Sequence, residues 1–358
     1  MHFAFEKKSR LPGSVHVSVT DWFQYPDYQN YYGPSSLCHV FRFCQLMDAY
    51  AGKRRKREIV VYCDRFDEQR ANSLFLLGAF MIVRLDYTVP HALTRLHPVL
   101  GSVPSFRTEG AAPPDVFIEM SDCLRALERA LRLGWLNCFQ NMKTKEINED
   151  FLTRAEDLED PANGDISWII PNRLIAMAGP LLKSDKKSME WTPDLPVVMA
   201  QLESMNVSCI VRLNRKHYEQ SDIAPVAITV HEMFLHDGSV PANDQTVADF
   251  QKIVKEAWDR GTAVAVHCRA GLGRTGTFIG TCLIDWFGFT AKEAIAYLRM
   301  ARPGSVLGDQ PLFLQNYELK NNNGLKQVDA KKGKHGPKLH HRIPFVSNNK
   351  RIKTENKY

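Results

Sequence analysis

The chain has 358 residues, 44% hydrophobic and 24% charged, which is the composition of a globular protein and excludes a fibrous or wholly disordered one. Its length suits two domains, each expected to bury its own core, and its eight scattered cysteines form no close Cys-x-x-Cys pair, which excludes a disulfide framework. The net charge of +6 is uneven: residues 321–358 carry ten Lys/Arg against two acids, leaving the remainder close to neutral. No secretory leader is read at the start, so a reduced, intracellular setting is expected.

In chain order, the first clear unit is "REIVVYC" (57–63), an apolar strand ending in Cys63, followed by a loop with arginine and a long apolar helix over 64–83. The stretch "SLFLLGAFMIV" within it is too short to span a bilayer, so it reads as a buried helix with no membrane anchor. Residues 141–165 are polar and acidic and read as a linker with a helical portion. Strands follow at 209–214 and 227–234. A helix begins at 246, with Val247, Phe250, Ile253, Val254 and Trp258 on one face and Gly261 at its end. A strand over 263–268, a glycine loop, and helices over 274–287 and 290–301 complete the pattern, the last stopped by Pro303 and Gly304. This alternation predicts an α/β fold with a largely parallel sheet. The basic segment has few apolar residues and no period, and reads as a disordered tail over 319–358: a solubilising tail, a nuclear-import signal or a contact for an acidic partner.

The chemistry concentrates in "AVHCRAGLGRTGTFIG" (265–280). A strand end feeding a glycine loop and a helix N-terminus is where α/β sheets bind ligands, and successive backbone N–H groups there cradle an anion. The cradle is read over Arg269, Ala270, Gly271, Leu272, Gly273 and Arg274, with phosphate as its occupant. A Walker loop is excluded because its Lys-Ser/Thr ending is absent. The amides, the helix dipole and Arg274 favour the thiolate of Cys268, making it a nucleophile. Arg274 supplies bidentate donors to phosphate oxygens. The leaving oxygen needs a proton, for which Asp237 in "LHDGS" is the candidate general acid, and Gln310 in "RPGSVLGDQ" is the candidate for positioning the hydrolytic water. No cofactor or metal is implied. The Cys63 loop echoes this unit without its glycines and puts Arg70 seven residues on, so Cys63 reads as a buried structural thiol.

"HCRAGLGRT" fits the HCxxGxxRT signature of cysteine-dependent tyrosine and dual-specificity phosphatases. With "FLHDGSVP", "ARPGSVLGDQ", "YYGPSSLCHVFRFC", "FDEQRANSLFLLGAF" and "NGDISWIIP", the sequence from Asp21 to about Asn316 resembles the cell-division-cycle fourteen family, proline-directed phosphatases associated with mitotic exit and cytokinesis. The resemblance implies two tandem dual-specificity-phosphatase-like domains: a non-catalytic one over 1–145, an acidic linker over 146–165 and a catalytic one over 166–318. It implies Cys268 as nucleophile, Arg274 as clamp, Asp237 as acid then base, Thr275 as a hydroxyl steadying the thiolate and His267 as a residue orienting the loop. It further implies selection of phosphoserine before proline with a basic residue downstream, read by an acidic groove of Glu156, Glu159 and Asp165 through charge complementarity.

Partners would be phosphoproteins made by proline-directed kinases, with no nucleic acid or membrane, and a homodimer through the first domain is compatible with the family. Nucleus, cytoplasm, centrosome, spindle or basal body would be the setting. Two departures stand out: Pro311 follows Gln310 where the family usually has a second glutamine, and Arg269 replaces a usual lysine. Two other readings remain open. A phosphoinositide phosphatase normally has lysines on both sides of the central glycine, whereas Leu272 stands here; a pseudophosphatase scaffold would have no need of Cys268, Arg274 and Asp237 together.

Overall fold

The computed structural model describes residues 2–4, 14–23, 32–53, 58–63, 67–106, 116–182, 192–224 and 226–331. The expectation of a disordered tail therefore lies, over 332–358, outside the described residues, as does the loop 64–66 after Cys63.

Strands β1 (His2–Ala4) and β2 (Val15–Ser18) both pair parallel with β3 (Ile59–Tyr62), which is central in a three-stranded sheet. Parallel neighbours need long crossings, and α1 (Leu37–Lys53) makes the one from β2 to β3. Helices α2 (Asp67–Leu85), α3 (Val89–Leu100) and α4 (Met120–Arg132) follow. Leu74, Phe75, Leu76, Leu77 and Phe80 of α2 are all buried, as expected of a helix apolar on every side. The predicted acidic linker contains α5 (Glu149–Glu159). Asn148 caps it by accepting from the Phe151 amide, and Glu149 and Asp150 lie in its electropositive first turn.

The second sheet has the order β4-β5-β8-β6-β7, with β4 (Ile166–Ile170), β5 (Leu174–Met177), β6 (Val207–Arg212), β7 (Thr229–Glu232) and β8 (Ala263–His267). Only β4 and β5 run antiparallel. Helices α6 (Leu195–Ser204), α7 (Asp244–Asp259), α8 (Gly273–Phe287), α9 (Ala291–Ala301) and α10 (Gln310–Lys331) flank and extend it. All five residues of β8 are buried, the unbroken apolar run typical of a central parallel strand. In register, Met177 and Arg212 lie opposite His267, and Glu232 opposite Arg212. Four strands thus end flush on one edge.

Residues Met1–Glu318 form one compact unit and Leu319–Tyr358 another. The basic segment begins as helix: α10 runs to Lys331, because propagating a nucleated helix costs little per residue. Among the described residues, both sheets contribute to one large core. One apolar cluster extends from Val15 to Leu314, and a smaller one, including Ile166, Ile175, Val198 and Ile210, packs apart from it. Trp135, just after α4, joins the halves, its ring centroid 4.8, 5.6 and 5.3 Å from those of Phe287, Phe289 and Tyr297. Beside it, Arg125 and Arg129 reach the buried Glu293 at 3.5 and 3.3 Å. No helix among the described residues is long and apolar enough to cross a membrane.

A shared core predicts cooperative unfolding. Trp135→Ala should cost about 3–5 kcal/mol while calorimetry still shows a single transition for residues of both sheets. Two transitions, of which the variant shifts only one, would contradict the shared core.

Candidate active site

The loop 268–273 leaves β8 at the centre of the flush edge and enters α8, so the helix N-terminus faces the anion cradle. Gly271 adopts φ +69°, and a Cβ there would lie 1.9 Å from the Met177 carbonyl oxygen. Only glycine fits that turn. Gly179 of the neighbouring loop is equally constrained, since its Cβ would meet the Cys268 carbonyl at 2.4 Å. Loop carbonyls are tied outward: His267 O accepts from Leu213 N (2.8 Å), Arg269 O from Gly179 N (2.9 Å) and Leu272 O from Val306 N (3.3 Å).

Cys268 is buried at the mouth of this loop. Thr275 Oγ1, also buried, has no hydrogen-bond partner among the described residues. An orphaned hydroxyl is costly, and its place in the first turn of α8 suits donation to a thiolate. His267 lies behind. Its Nδ1 is 3.0 Å from the Cys268 carbonyl, which can only accept, so Nδ1 carries the proton and Nε2 accepts from the Tyr218 hydroxyl at 3.0 Å. Burial pushes His267 down to about 4, keeping it neutral. Burial also raises Tyr218, which keeps its proton. Arg212 in turn lies 4.0 Å over the Tyr218 ring, donates to the Tyr218 carbonyl at 2.7 Å and forks onto Glu232 at 3.0 and 2.7 Å. A chain of polar contacts running from the buried His267 out to the exposed Glu232 thus fixes the strand end that presents Cys268.

Arg274 is buried, donating from Nη1 to the Leu235 carbonyl (2.9 Å) and from Nη2 to Asp237 Oδ1 (2.6 Å). The Asp237 side chain is 76% exposed and stands at a turn made by Gly238 at φ +73°. The Cys268 loop, Arg274 and Asp237 therefore converge. Gln310 is buried against the same place. Its Oε1 accepts from Leu307 N (2.8 Å), its Nε2 donates to Ser239 O (3.2 Å), and a Cβ on Gly273 would lie 2.8 Å from it. Gln310 opens α10, where Pro311 needs no N–H donor, which accounts for proline at that position.

The predicted acidic groove is organised differently. Glu156 is forked by Arg42 at 2.9 and 2.6 Å, and Arg42 also pairs with Glu149. Glu159 accepts from the Cys38 thiol at 3.8 Å, and burial pushes it up to about 7 despite the Arg302 charge. Asp165 Oδ1 pairs with Arg302 at 2.7 Å. Each of the three acids has an internal partner: Arg42 for Glu156, the Cys38 thiol for Glu159 and Arg302 for Asp165. Cys63 is buried. The sequence reading missed Arg302, Tyr218, Arg212 and Gly179. "ARPG" signalled only a helix stop, and the other three acquire meaning through the strand register.

A seven-residue loop between a central parallel strand and a helix, opening on a thiol and closing on an arginine, defines the cysteine-dependent phosphatase class of α/β fold. Residues 1–130 match the family described as "Dual specificity protein phosphatase, N-terminal half", and residues 189–288 match "Polymorphic toxin system, DSP-PTPase phosphatase". The chain is 32% identical over 312 residues to dual specificity protein phosphatase CDC14C of Homo sapiens, covering 86% of this chain and 66% of that protein. It is 33% identical over 295 residues to CDC14B of Mus musculus (80% and 58%). It is also 33% identical over 316 residues to the tyrosine-protein phosphatase CDC14 homolog of Schizosaccharomyces pombe (86% and 57%). The chain belongs to the CDC14 family of dual specificity phosphatases. It spans between 57% and 66% of the length of these three relatives.

The neutral His267 sets a pH dependence. Folded His267 stays neutral down to about 4, whereas its ordinary value is 6.5. The unfolded chain therefore binds the extra proton in that window, and the wild type loses stability as pH falls through it. His267→Asn, which cannot titrate, should be less stable at pH 7, with the gap in Tm narrowing as pH falls from 6.5 to 4. Glu159 is present in both proteins and drops out of the difference. A gap independent of pH would contradict the buried neutral imidazole.

Proposed function

We propose that this protein is a metal-independent, cysteine-dependent dual-specificity phosphatase acting on phosphoserine, phosphothreonine and phosphotyrosine in proteins. The observation that supports the reading is the 2.6 Å contact between Arg274 and Asp237 at the mouth of the Cys268 loop, which joins the proposed clamp and acid beside the proposed nucleophile. Phosphate entering the cradle displaces Asp237 from the guanidinium, and two equatorial oxygens take the fork. Thiolate Sγ of Cys268 attacks phosphorus and the P–O bond to the leaving group breaks. The carboxyl of Asp237 gives its proton to the departing oxygen. In the second step Asp237, now a carboxylate, takes a proton from water as the water attacks the cysteinyl-phosphate, releasing phosphate and restoring the thiolate. Thr275 steadies that thiolate. The carboxamide of Gln310, held between the Asp237 turn and the 305–308 loop, orients the water.

The substrate reading within this function is phosphoserine before proline with a basic residue downstream, in cell-cycle or cytoskeletal control. It is supported by the net charge of α5 and its end: Glu149, Asp150, Glu156, Asp157 and Asp160 outnumber Arg154 and the facing Arg42. Exposed Phe234 and Leu307, on the segments carrying Asp237 and Gln310, offer apolar surface to a proline ring. Proteins phosphorylated by proline-directed kinases are the proposed partners, in an intracellular setting.

Turnover in EDTA of peptides bearing phosphoserine-proline with and without lysine three residues on, phosphothreonine-proline and phosphotyrosine, and of a phosphoinositide, tests the proposal. The lysine-bearing phosphoserine peptide should be fastest, and Cys268→Ser should lower turnover at least about a thousandfold. Preference for the phosphoinositide would overturn the substrate reading, and turnover surviving Cys268→Ser would overturn the mechanism.

A further inference from the structure

Two loop carbonyls remain, those of Ala270 and Gly271 at the centre of the cradle, and both are held by one side chain from another element. Arg302, at the C-terminal end of α9, is 4% exposed. Its Nε donates to Gly271 O at 3.0 Å and its Nη2 to Ala270 O at 2.9 Å. On its far side, Nη1 donates to Asp165 O and Ser167 Oγ, each at 3.1 Å, and Nη2 pairs with Asp165 Oδ1 at 2.7 Å. A guanidinium has five N–H donors; four of them make these hydrogen bonds, and the Asp165 carboxylate adds an ion pair. Asp165 itself stands at φ +49°, a left-handed conformation uncommon outside glycine, and its carbonyl also accepts from Ala178 N at 3.1 Å.

The consequence follows from peptide geometry. In a trans peptide the C=O and the next N–H point in opposite directions. Fixing the carbonyls of Ala270 and Gly271 on Arg302 therefore aims the N–H groups of Gly271 and Leu272 the other way, into the cradle. A flip of either peptide would turn a carbonyl oxygen toward the phosphate dianion and remove a donor. We propose that Arg302 and Asp165 are positioning residues for the phosphate loop, with Asp165 orienting the guanidinium that orients the loop. The inference rests on the phosphatase reading of the same site. It separates Asp165 from Glu156 and Glu159, with which its spacing groups it.

The test uses the full chain with Arg302→Lys, Asp165→Asn and Asp165→Ala, against phosphoserine-proline peptides with and without lysine three residues on and against p-nitrophenyl phosphate, which has no downstream residue. Orthovanadate binding is measured by calorimetry in parallel. Each variant should lower kcat/KM on all three substrates by one common factor, roughly 10- to 100-fold, and weaken orthovanadate in proportion. Asp165→Asn, which still offers an oxygen to Arg302, should retain more activity than Asp165→Ala. The proposal is overturned if Asp165→Asn impairs only the lysine-bearing peptide, or if Arg302→Lys binds orthovanadate and turns over p-nitrophenyl phosphate like the wild type. Simple loss of stability would lower the folded fraction but leave the orthovanadate Kd of folded protein unchanged. Should the wild type turn over none of the substrates, the phosphatase reading fails, while the orthovanadate comparison still decides the brace.

Discussion

Backbone amides can hold an anion only if the carbonyls between them are turned away, and that requirement organises the half of the molecule built on the second sheet. From His267 to Leu272 every carbonyl has a donor behind it: Leu213 N, the His267 ring, Gly179 N, Arg302 twice and Val306 N. These donors come from separate segments of the second half, so the cradle is a property of the sheet edge and its covering loops. Gly271 permits the one left-handed step this arrangement needs, pressed against Met177 O closely enough that no side chain could stand there. The positive field at the loop then comes from oriented dipoles and one guanidinium, which pre-exist the ligand and need little reorganisation when it binds.

The same economy appears away from the loop. Burying His267 neutral, with Tyr218 and the Arg212–Glu232 pair behind it, fixes a strand end without adding a charge beside the thiol. The linker helix is fastened at one end to α1 through Arg42 and continues into the segment whose Asp165 meets Arg302. The N-terminal half is thereby attached to the structural support of the loop as well as to the shared core around Trp135. In the acidic segment Glu149, Glu156 and Asp165 form ion pairs with Arg42 and Arg302.

How much of this was readable beforehand follows from the range of the interactions. Local signals carried the alternating strands and helices, the buried α2 and the loop with Cys268, Gly271 and Arg274, because period, glycine spacing and helix stops act within a few residues. Asp237 and Gln310 were reachable because the chemistry demanded an acid and a water-positioning amide, and both stand at the site. Arg302 was not reachable: at a helix end an arginine complements the dipole, and only the packing of α9 against α8 and β4 gives it a loop to hold. The partners of Glu156 and Glu159 were hidden for the same reason, since Arg42 and Cys38 lie more than a hundred residues earlier. The large cluster shared by both sheets was missed because composition counts apolar residues without saying which helices pack together.

The claim on which the rest depends is that the oriented loop makes Cys268 the nucleophile. Its most direct test is rapid quenching of the wild type with a phosphopeptide substrate in the pre-steady state, followed by mass analysis of the peptide containing Cys268. The account predicts a burst in which one phosphoryl group per active enzyme appears on Cys268 and decays at the turnover rate. A phosphoryl group found on another residue, or turnover in which the chain is never phosphorylated, would contradict it.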